Sequence, residues 1–339
     1  MKLIRTEDAV GHVLCHDMTQ IVKDVYKGPR FRKGHVVQPE DIPVLLSMGK
    51  EHLYVWEMTP GMVHENDAAE RLAALCGRDG MVWSETKEGK IELSAAHDGL
   101  FLVDSPRLLA VNSRDDIMIA TRKGGTAVRR GDKLAGTRVI PLAVSEEVLL
   151  GAEAAAGGAP LLRLLPYVKK TAAIVATGSE VQKGLIQDTF TPVVREKLSA
   201  YGIRTLSVTY SGDGVDHVAA AIAQARTTGA ELILCTGGMS VDPDDNTPGG
   251  IRQSGARVVA YGAPVLPGAM FLLGYYEDGT AVCGLPGCVM YAGATVFDLV
   301  LPKLAAGVEV TRQDLAAMGE GGLCLGCSPC HWPNCPFGR

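Results

Sequence analysis

The chain has 339 residues, a formal net charge of −5, 47% hydrophobic residues, few aromatics and 40 glycines. That length suits two or three domains, and the composition suits an α/β protein with many tight turns, which excludes a disordered chain. There is no basic run interleaved with aromatics, so a nucleic-acid surface is not expected, and no stretch of about 18 apolar residues that would span a membrane.

The N-terminus, MKLIRTEDAVGHVL, carries charges where a secretory leader needs an apolar run. Nine cysteines are an odd count for a disulfide framework, so metal binding or reactivity is expected and the protein is read as cytoplasmic. Residues 1–60 read as an α+β unit: a strand, a helix with Pro39, Glu40 and Asp41 near its start and Gly49 at its end, then a strand over His52 to Trp56. Residues 61–165 read as β-rich, with a short helix over Asp67 to Cys76, alternating strands in KIELSAAHDGLFLVD and KLAGTRVIPLAV, and a small-residue linker, GAEAAAGGAP, at 151–160.

From Thr171 the pattern changes. TAAIVATGSE is a buried strand entering a glycine turn. A helix follows, with Phe190, Val194 and Leu198 on one face, Asp188 or Thr189 as cap and Gly202 as stop. IRTLSVTY is a strand, DGVDHVAAAIAQARTTG a helix, and ELILCTGG a third strand. AMFLLGYYEDGTAVCGLPG reads as a hairpin with a two-residue Asp278-Gly279 type I′ turn, and a last helix is expected from about Val289 to Leu304. Strands alternating with helices imply a three-layer, mostly parallel sheet that the hairpin makes mixed, spanning 166–310.

Ligands of such sheets sit beyond the carboxyl ends of the strands. Three segments follow strands there and supply glycines, the first two beside hydroxyls: Thr177-Gly178-Ser179-Glu180, Thr236-Gly237-Gly238-Met239-Ser240 and Gly284-Leu285-Pro286-Gly287. Glycine lets main-chain N–H groups approach an anion, so a phosphate is the natural guest. Glu180, Asp213, Asp242, Asp244 and Asp245 surround the same turns. Anion-cradling glycines with such acids suit a heterocycle bearing phosphate, with Mg²⁺ as a companion. Taken singly, each glycine is also explained by the turn it makes, and each acid by a helix cap or a solvated loop.

TGSE…KGLIQDT, LSVTYSGDGVDHV, LCTGGMSVDPDD, VLPGAMFLLGYY and GLPGCVMYAGATVFDLVLPKLAAG occur in the order and spacing of the molybdopterin-binding domain. The segment 168–305 thus resembles the domain shared by molybdopterin molybdenumtransferases (MoeA, gephyrin E domain) and adenylyltransferases (MogA). It looks closer to the molybdenumtransferases. The resemblance implies that Glu180, Asp213 and Asp245 lie around the metal-insertion site. It likewise implies that Thr236, Gly237, Gly238, Ser240, Pro267, Gly268, Pro286 and Gly287 contact the pterin and its phosphate, and the glycine turn of Thr177, Gly178 and Ser179 is read as a further binding segment. The implied ligands are molybdopterin or its adenylylated form, molybdate and Mg²⁺; the implied assembly is a homodimer. The implied role is molybdate insertion or, without catalysis, carriage of the pterin for a molybdoenzyme or another cofactor-synthesis protein. A nucleotide hydrolase of the competence-damage-inducible type shares the domain and is the third reading. The sequence departs from the transferases in lacking their MDGYA-like and TGAPxPxGAD-like segments between residues 1 and 165. It also carries Cys288-Val289 where they have Asn-Pro. Cys288 is read either as a small buried residue capping the last helix or as a thiol beside the metal.

The last segment, 311–339, is read as a cysteine-rich tail that ends in CLGCSPCHWPNCPFGR. Cys324, Cys327, Cys330 and Cys335 are spaced C-x2-C-x2-C-x4-C, one residue longer in the last gap than the common bacterial ferredoxin run. Four thiolates in twelve residues suit a metal, either Zn²⁺ or an iron–sulfur cluster, with His331 as an alternative ligand.

Overall fold

The computed structural model describes residues 2–22, 26–55, 60–243 and 245–338. Trp56 and Asp244, both singled out above, lie outside the described residues. The chain divides into two compact units. One comprises Met1–His97, Phe101–Gly124 and Val128–Leu164; the other comprises Asp98–Leu100, Gly125–Ala127 and Leu165–Arg339.

The first unit holds two hydrophobic cores. In the N-terminal one, strand Lys2–Arg5 pairs antiparallel with His52–Val55, and helix Asp41–Ser47 adds Leu45 to a cluster of Leu14, Phe31, Val37 and Leu53. The larger core lies beneath a four-stranded antiparallel sheet, in the order Met81–Trp83, Lys90–Ala95, Lys133–Val139, Ile117–Thr121. Helix Glu65–Cys76 covers it with Ala69, Leu72 and Cys76, spaced three and four residues apart as a helical stripe requires.

The expected linker at 151–160 is instead the end of a helix. Glu146–Ala156 is α-helical, capped at its start by the Ser145 hydroxyl and at its end by Gly157 in the left-handed region. Alanine is small, but it is also the strongest helix former, and Leu149, Ala152 and Ala156 are buried.

The second unit is a six-stranded sheet between helical layers. Its strands are β1 (Thr171–Thr177), β2 (Arg204–Ser211), β3 (Leu232–Thr236), β4 (Arg257–Tyr261), β5 (Leu272–Tyr275) and β6 (Ala281–Leu285), in the order β2-β1-β3-β6-β5-β4. β2, β1, β3 and β6 pair parallel, and β5 pairs antiparallel with both β6 and β4, so β5 alone of the six runs in the opposite direction and the sheet is mixed and mostly parallel as expected. Successive side chains of each strand feed opposite faces. Ile174, Leu234 and Cys283 meet α1 (Phe190–Ser199) and α4 (Val296–Ala305) on one face, whereas Val175, Ile233, Cys235 and Val282 meet α2 (Val215–Thr227) and α3 (Thr247–Gln253) on the other. Burial on both faces is why these strands read as unbroken apolar runs.

The Asp188 carboxylate accepts from the N–H groups of Phe190 and Thr191 and so caps α1. The hairpin turn is longer than expected. Tyr276 N–H donates to Thr280 O and Gly279 N–H to Tyr276 O, with Gly279 at φ +80°, so a three-residue loop with a bulged glycine replaces the two-residue turn. The Asp278 carboxylate accepts from Thr280 N–H and secures it. The last helix also starts later than expected: Gly287–Met290 is a single 3₁₀ turn, and α4 begins at Val296 behind a Thr295–Asp298 capping box. α3 and β4 were not anticipated. The C-terminal stretch opens with a further helix, α5 (Arg312–Ala317), capped by Thr311 and Asp314.

Candidate functional site

The chain passes from β1 to β2 on one side and then to β3 on the other side of β1. The topological switch point therefore falls between β1 and β3, where a ligand crevice forms in an open α/β sheet. Parallel pairing sets Ala176 beside Thr236, Thr236 beside Leu285, and Thr177 beside Ser211, so the turns after β1, β2, β3 and β6 open along one edge. Leu272 at the start of β5 pairs with Gly284 near the end of β6, which brings the 262–271 loop, with Pro267 and Gly268, to that edge too.

At the switch point lies a buried hydroxyl cluster. The Thr177 hydroxyl donates to Thr236 O (2.9 Å) and sits 3.0 Å from the Thr247 hydroxyl, which donates to Gly237 O (2.9 Å). Gly237 and Gly238 have φ of +86° and +54°. A side chain on Gly237 would meet Thr177, and one on Gly238 would stand 2.8 Å from the Thr247 hydroxyl. These glycines are needed for the close approach of two strand ends, with the ligand edge beyond. Thr247 was not anticipated, although Asn246-Thr247-Pro248 has the form of a helix start with proline in its first turn.

α3 presses onto α2 through Gly249 and Gly250, where a Cβ on Gly250 would stand 2.5 Å from Val218. Met239 is buried over Gly284, and Tyr261 donates its hydroxyl to Met239 O (2.9 Å).

Two of the three acids implied for metal insertion have backbone partners. Asp213 accepts from Ser179 N–H (3.2 Å), tying the β1 and β2 turns together, and Asp245 accepts from Ser240 N–H (2.9 Å) within the β3 loop. Each carboxylate sits where loop N–H groups point, so both turns present anion-accepting donors. Glu180 lies exposed on the single helical turn Ser179–Gln182. Gly178 has φ +133° and its N–H donates to Ser211 O.

On the far side of β3, Pro286 precedes Gly287, around which a Cβ would find open space within 4 Å. Gly268 is tightly enclosed, with a Cβ placed 2.6 Å from Val296, whose N–H donates to Pro267 O. Cys288 is half-buried in the 3₁₀ turn, and burial raises its thiol pKa, which keeps it protonated near neutrality. Cys235 and Cys283 are buried in the sheet, with Cys235 pushed up to about 12 by burial, and have no part in the edge.

The residues present fit an anionic ligand: the Ser179 and Ser240 N–H groups already donate to carboxylates, and Gly287 opens a further turn on the far side of β3. Among the described residues no three His, Cys, Asp or Glu side chains stand close enough to hold one ion. A Mg²⁺ ion here would rest on one or two of these carboxylates together with ligand phosphates, its usual mode of binding beside phosphate esters.

Residues 173–306 match the family described as "Probable molybdopterin binding domain", and residues 3–57 match a domain of unknown function. The second unit is therefore built around a domain of the molybdopterin-binding type. Among curated proteins, a CinA-like protein of Desulfosudis oleivorans is 36% identical over 86 residues, covering 25% of this chain and 21% of its own. A protein of Oceanobacillus iheyensis named for competence-damage induction is 38% identical over 84 residues, covering 24% and 19%. The chain spans about a fifth of the length of these relatives. Among solved structures, CinA of Thermoplasma acidophilum aligns with 18% identity and TM-score 0.35 over 40% of this chain and 98% of that one. The molybdopterin biosynthesis enzyme MoaB of Thermus thermophilus aligns with 20% identity and TM-score 0.33 over 41% and 97%. No helix among the described residues is long and apolar enough to cross a membrane.

Proposed function

We propose that the second unit binds molybdopterin, or its adenylylated form, along the strand-end edge and serves molybdenum-cofactor biosynthesis. One observation carries the reading. The Ser179 and Ser240 N–H groups, on turns flanking the switch point, both hold carboxylates in a domain of the molybdopterin-binding type. In this reading the pterin phosphate lies along the Thr177–Ser179 and Thr236–Ser240 turns and takes the Ser179 and Ser240 N–H donors in place of the Asp213 and Asp245 carboxylates. Pro267, Gly268, Pro286 and Gly287 line the far side. Glu180, Asp213 and Asp245 flank the point where molybdate meets the dithiolene, with Mg²⁺ carried in on phosphate. A homodimer is part of the proposal, as is a metal on Cys324, Cys327, Cys330 and Cys335.

The test is an anaerobic titration of the purified chain with molybdopterin and with its adenylylated form, followed by molybdate and Mg²⁺. Binding with AMP release and molybdenum retained on the pterin establishes insertion. Tight binding without AMP release makes the protein a carrier that delivers pterin to a molybdoenzyme. For insertion, Glu180→Ala and Asp245→Ala abolish metal transfer and leave pterin affinity largely intact; normal insertion by both variants would end that assignment. The curated relatives support a second reading, a nucleotide hydrolase of the competence-damage type. Hydrolysis of a dinucleotide or ADP-ribose with no pterin present, together with no pterin binding, would select it.

A further inference from the structure

The C-terminal run is folded onto the second unit. Leu266 N–H donates to Gly322 O and Cys324 N–H to Leu266 O, each at 2.8 Å, so the run starts as a short parallel pairing with the 262–271 loop. It ends with Phe337 buried at 3% exposure in the core shared with α4, and Gly338 N–H returns to Gly321 O (2.9 Å). Residues 321 to 338 thus form a closed loop anchored at both ends. Cys330 Sγ lies 2.6 Å from where a Cβ of Gly293 would stand, so Gly293 admits the thiol against the segment between the 3₁₀ turn and α4.

Inside the loop is a cavity of about 210 Å³ whose wall includes Cys324, Cys327, Cys330 and Cys335, with Trp332 and Phe337. Cys324, Trp332 and Cys335 also pack on the core, so two of the thiols are fixed by the body of the unit, whereas Cys327 and Cys330 are exposed. A single zinc ion draws four sulfurs to about 2.3 Å from one point. Among the described residues no three His, Cys, Asp or Glu side chains stand close enough to hold one ion. The four cysteines line a common space instead. Four thiols disposed around a volume suit a group with several metal atoms and its own bridging sulfides, each thiolate meeting a different iron. Trp332 and Phe337 cover part of the space and Cys327 and Cys330 open it to water, and such partial exposure is one of the properties that set a cluster's reduction potential.

We infer that the C-terminal loop is an iron–sulfur cluster site with Cys324, Cys327, Cys330 and Cys335 as its four ligands. It is built on the same end of the sheet as the ligand edge, through the 262–271 loop. The site stands independently of pterin binding.

The experiment incubates the full chain anaerobically with equal amounts of ferrous and ferric iron and with sulfide, the proportions of a mixed-valence cubane, and in parallel with Zn²⁺ alone. The expected result is about four irons and four sulfides retained per chain after desalting, with broad visible absorption that bleaches on reduction. The Cys327→Ser/Cys330→Ser double variant, altered only at exposed thiols, loses the visible absorption and most of the iron with an unchanged far-ultraviolet dichroism spectrum. Cys288→Ser retains both. One tightly held zinc per chain with no sulfide-dependent iron uptake overturns the inference in favour of a closed single-ion site. Full iron and sulfide retention by the double variant overturns the ligand assignment. Pterin titration of the same double variant separates the two proposals, because affinity for molybdopterin is expected to remain.

Discussion

Gly237→Ala tests the packing at the switch point. Gly237 has φ +86°, a region that costs an L-residue about 1–2 kcal/mol. The new methyl group would stand 2.9 Å from the Thr177 hydroxyl and closer still to the Thr177 carbonyl oxygen, so the end of β1 has to retreat by up to about 1 Å to reach ordinary contact. That retreat breaks one or two of the bonds among Thr177, Thr236, Gly237 and Thr247, at about 0.5–1.5 kcal/mol each. The expected destabilisation is roughly 2–4 kcal/mol, or about 5–15 °C in melting temperature for a unit of this size. The control is Gly229→Ala, at φ +72° with nothing within 4 Å of the new carbon, which carries the backbone cost alone. Urea unfolding followed by hydrogen exchange in β1 and β3 reads both variants. Equal losses would refute the reasoning, because the close approach of the strand ends would then contribute nothing beyond the left-handed backbone.

Two further outcomes are expected. Asp298 is 6% exposed, accepts from Lys197 Nζ at 2.6 Å and completes the Thr295 cap of α4, so Asp298→Ala leaves a half-buried ammonium without its partner and removes the cap, costing about 2–4 kcal/mol, read by urea unfolding. In Lys197→Met/Asp298→Leu much of that loss is recovered; if the double variant is as unstable as the single one, the stranded charge is not the cause. In the first unit, burial lowers the pKa of His64, whose Nε2–H donates to Cys15 O (2.8 Å) while Nδ1 accepts from Asn66 N–H (3.1 Å). With its folded pKa below the unfolded 6.5, the unfolded chain binds more protons between those values, so stability falls as pH drops below about 6.5. His16, lowered first by burial as well, acts in the same direction. Hydrogen-exchange stability of this unit from about pH 7.5 to 5.5 checks the sign, and a rise toward pH 5.5 would contradict it.

The parallel strands, their glycine turns and the two helices α1 and α2 were legible because each depends on neighbours in sequence: an apolar run, a capping carboxylate at Asp188, a left-handed stop at Gly202. The alanine-rich helix ending at Ala156 was missed because small size suggests both flexibility and helix, and only burial of Ala152 and Ala156 decides between them. The last helix was drawn too early because the apolar run from Val289 is continuous, whereas the Thr295–Asp298 capping box sets the true start.

By itself the sequence determined that a mixed α/β unit ends three strands in glycine-bearing turns, and that four cysteines stand within twelve residues. Only the tertiary structure decided what those residues touch. Gly237 serves Thr177, 60 positions earlier in the numbering, and the Asp213 carboxylate serves a turn 34 residues away. The cysteine run closes on Gly293 and Leu266 rather than on itself alone. Propensity and periodicity act over a few residues, whereas these contacts follow from strand order and packing, which bring together segments that no local pattern links.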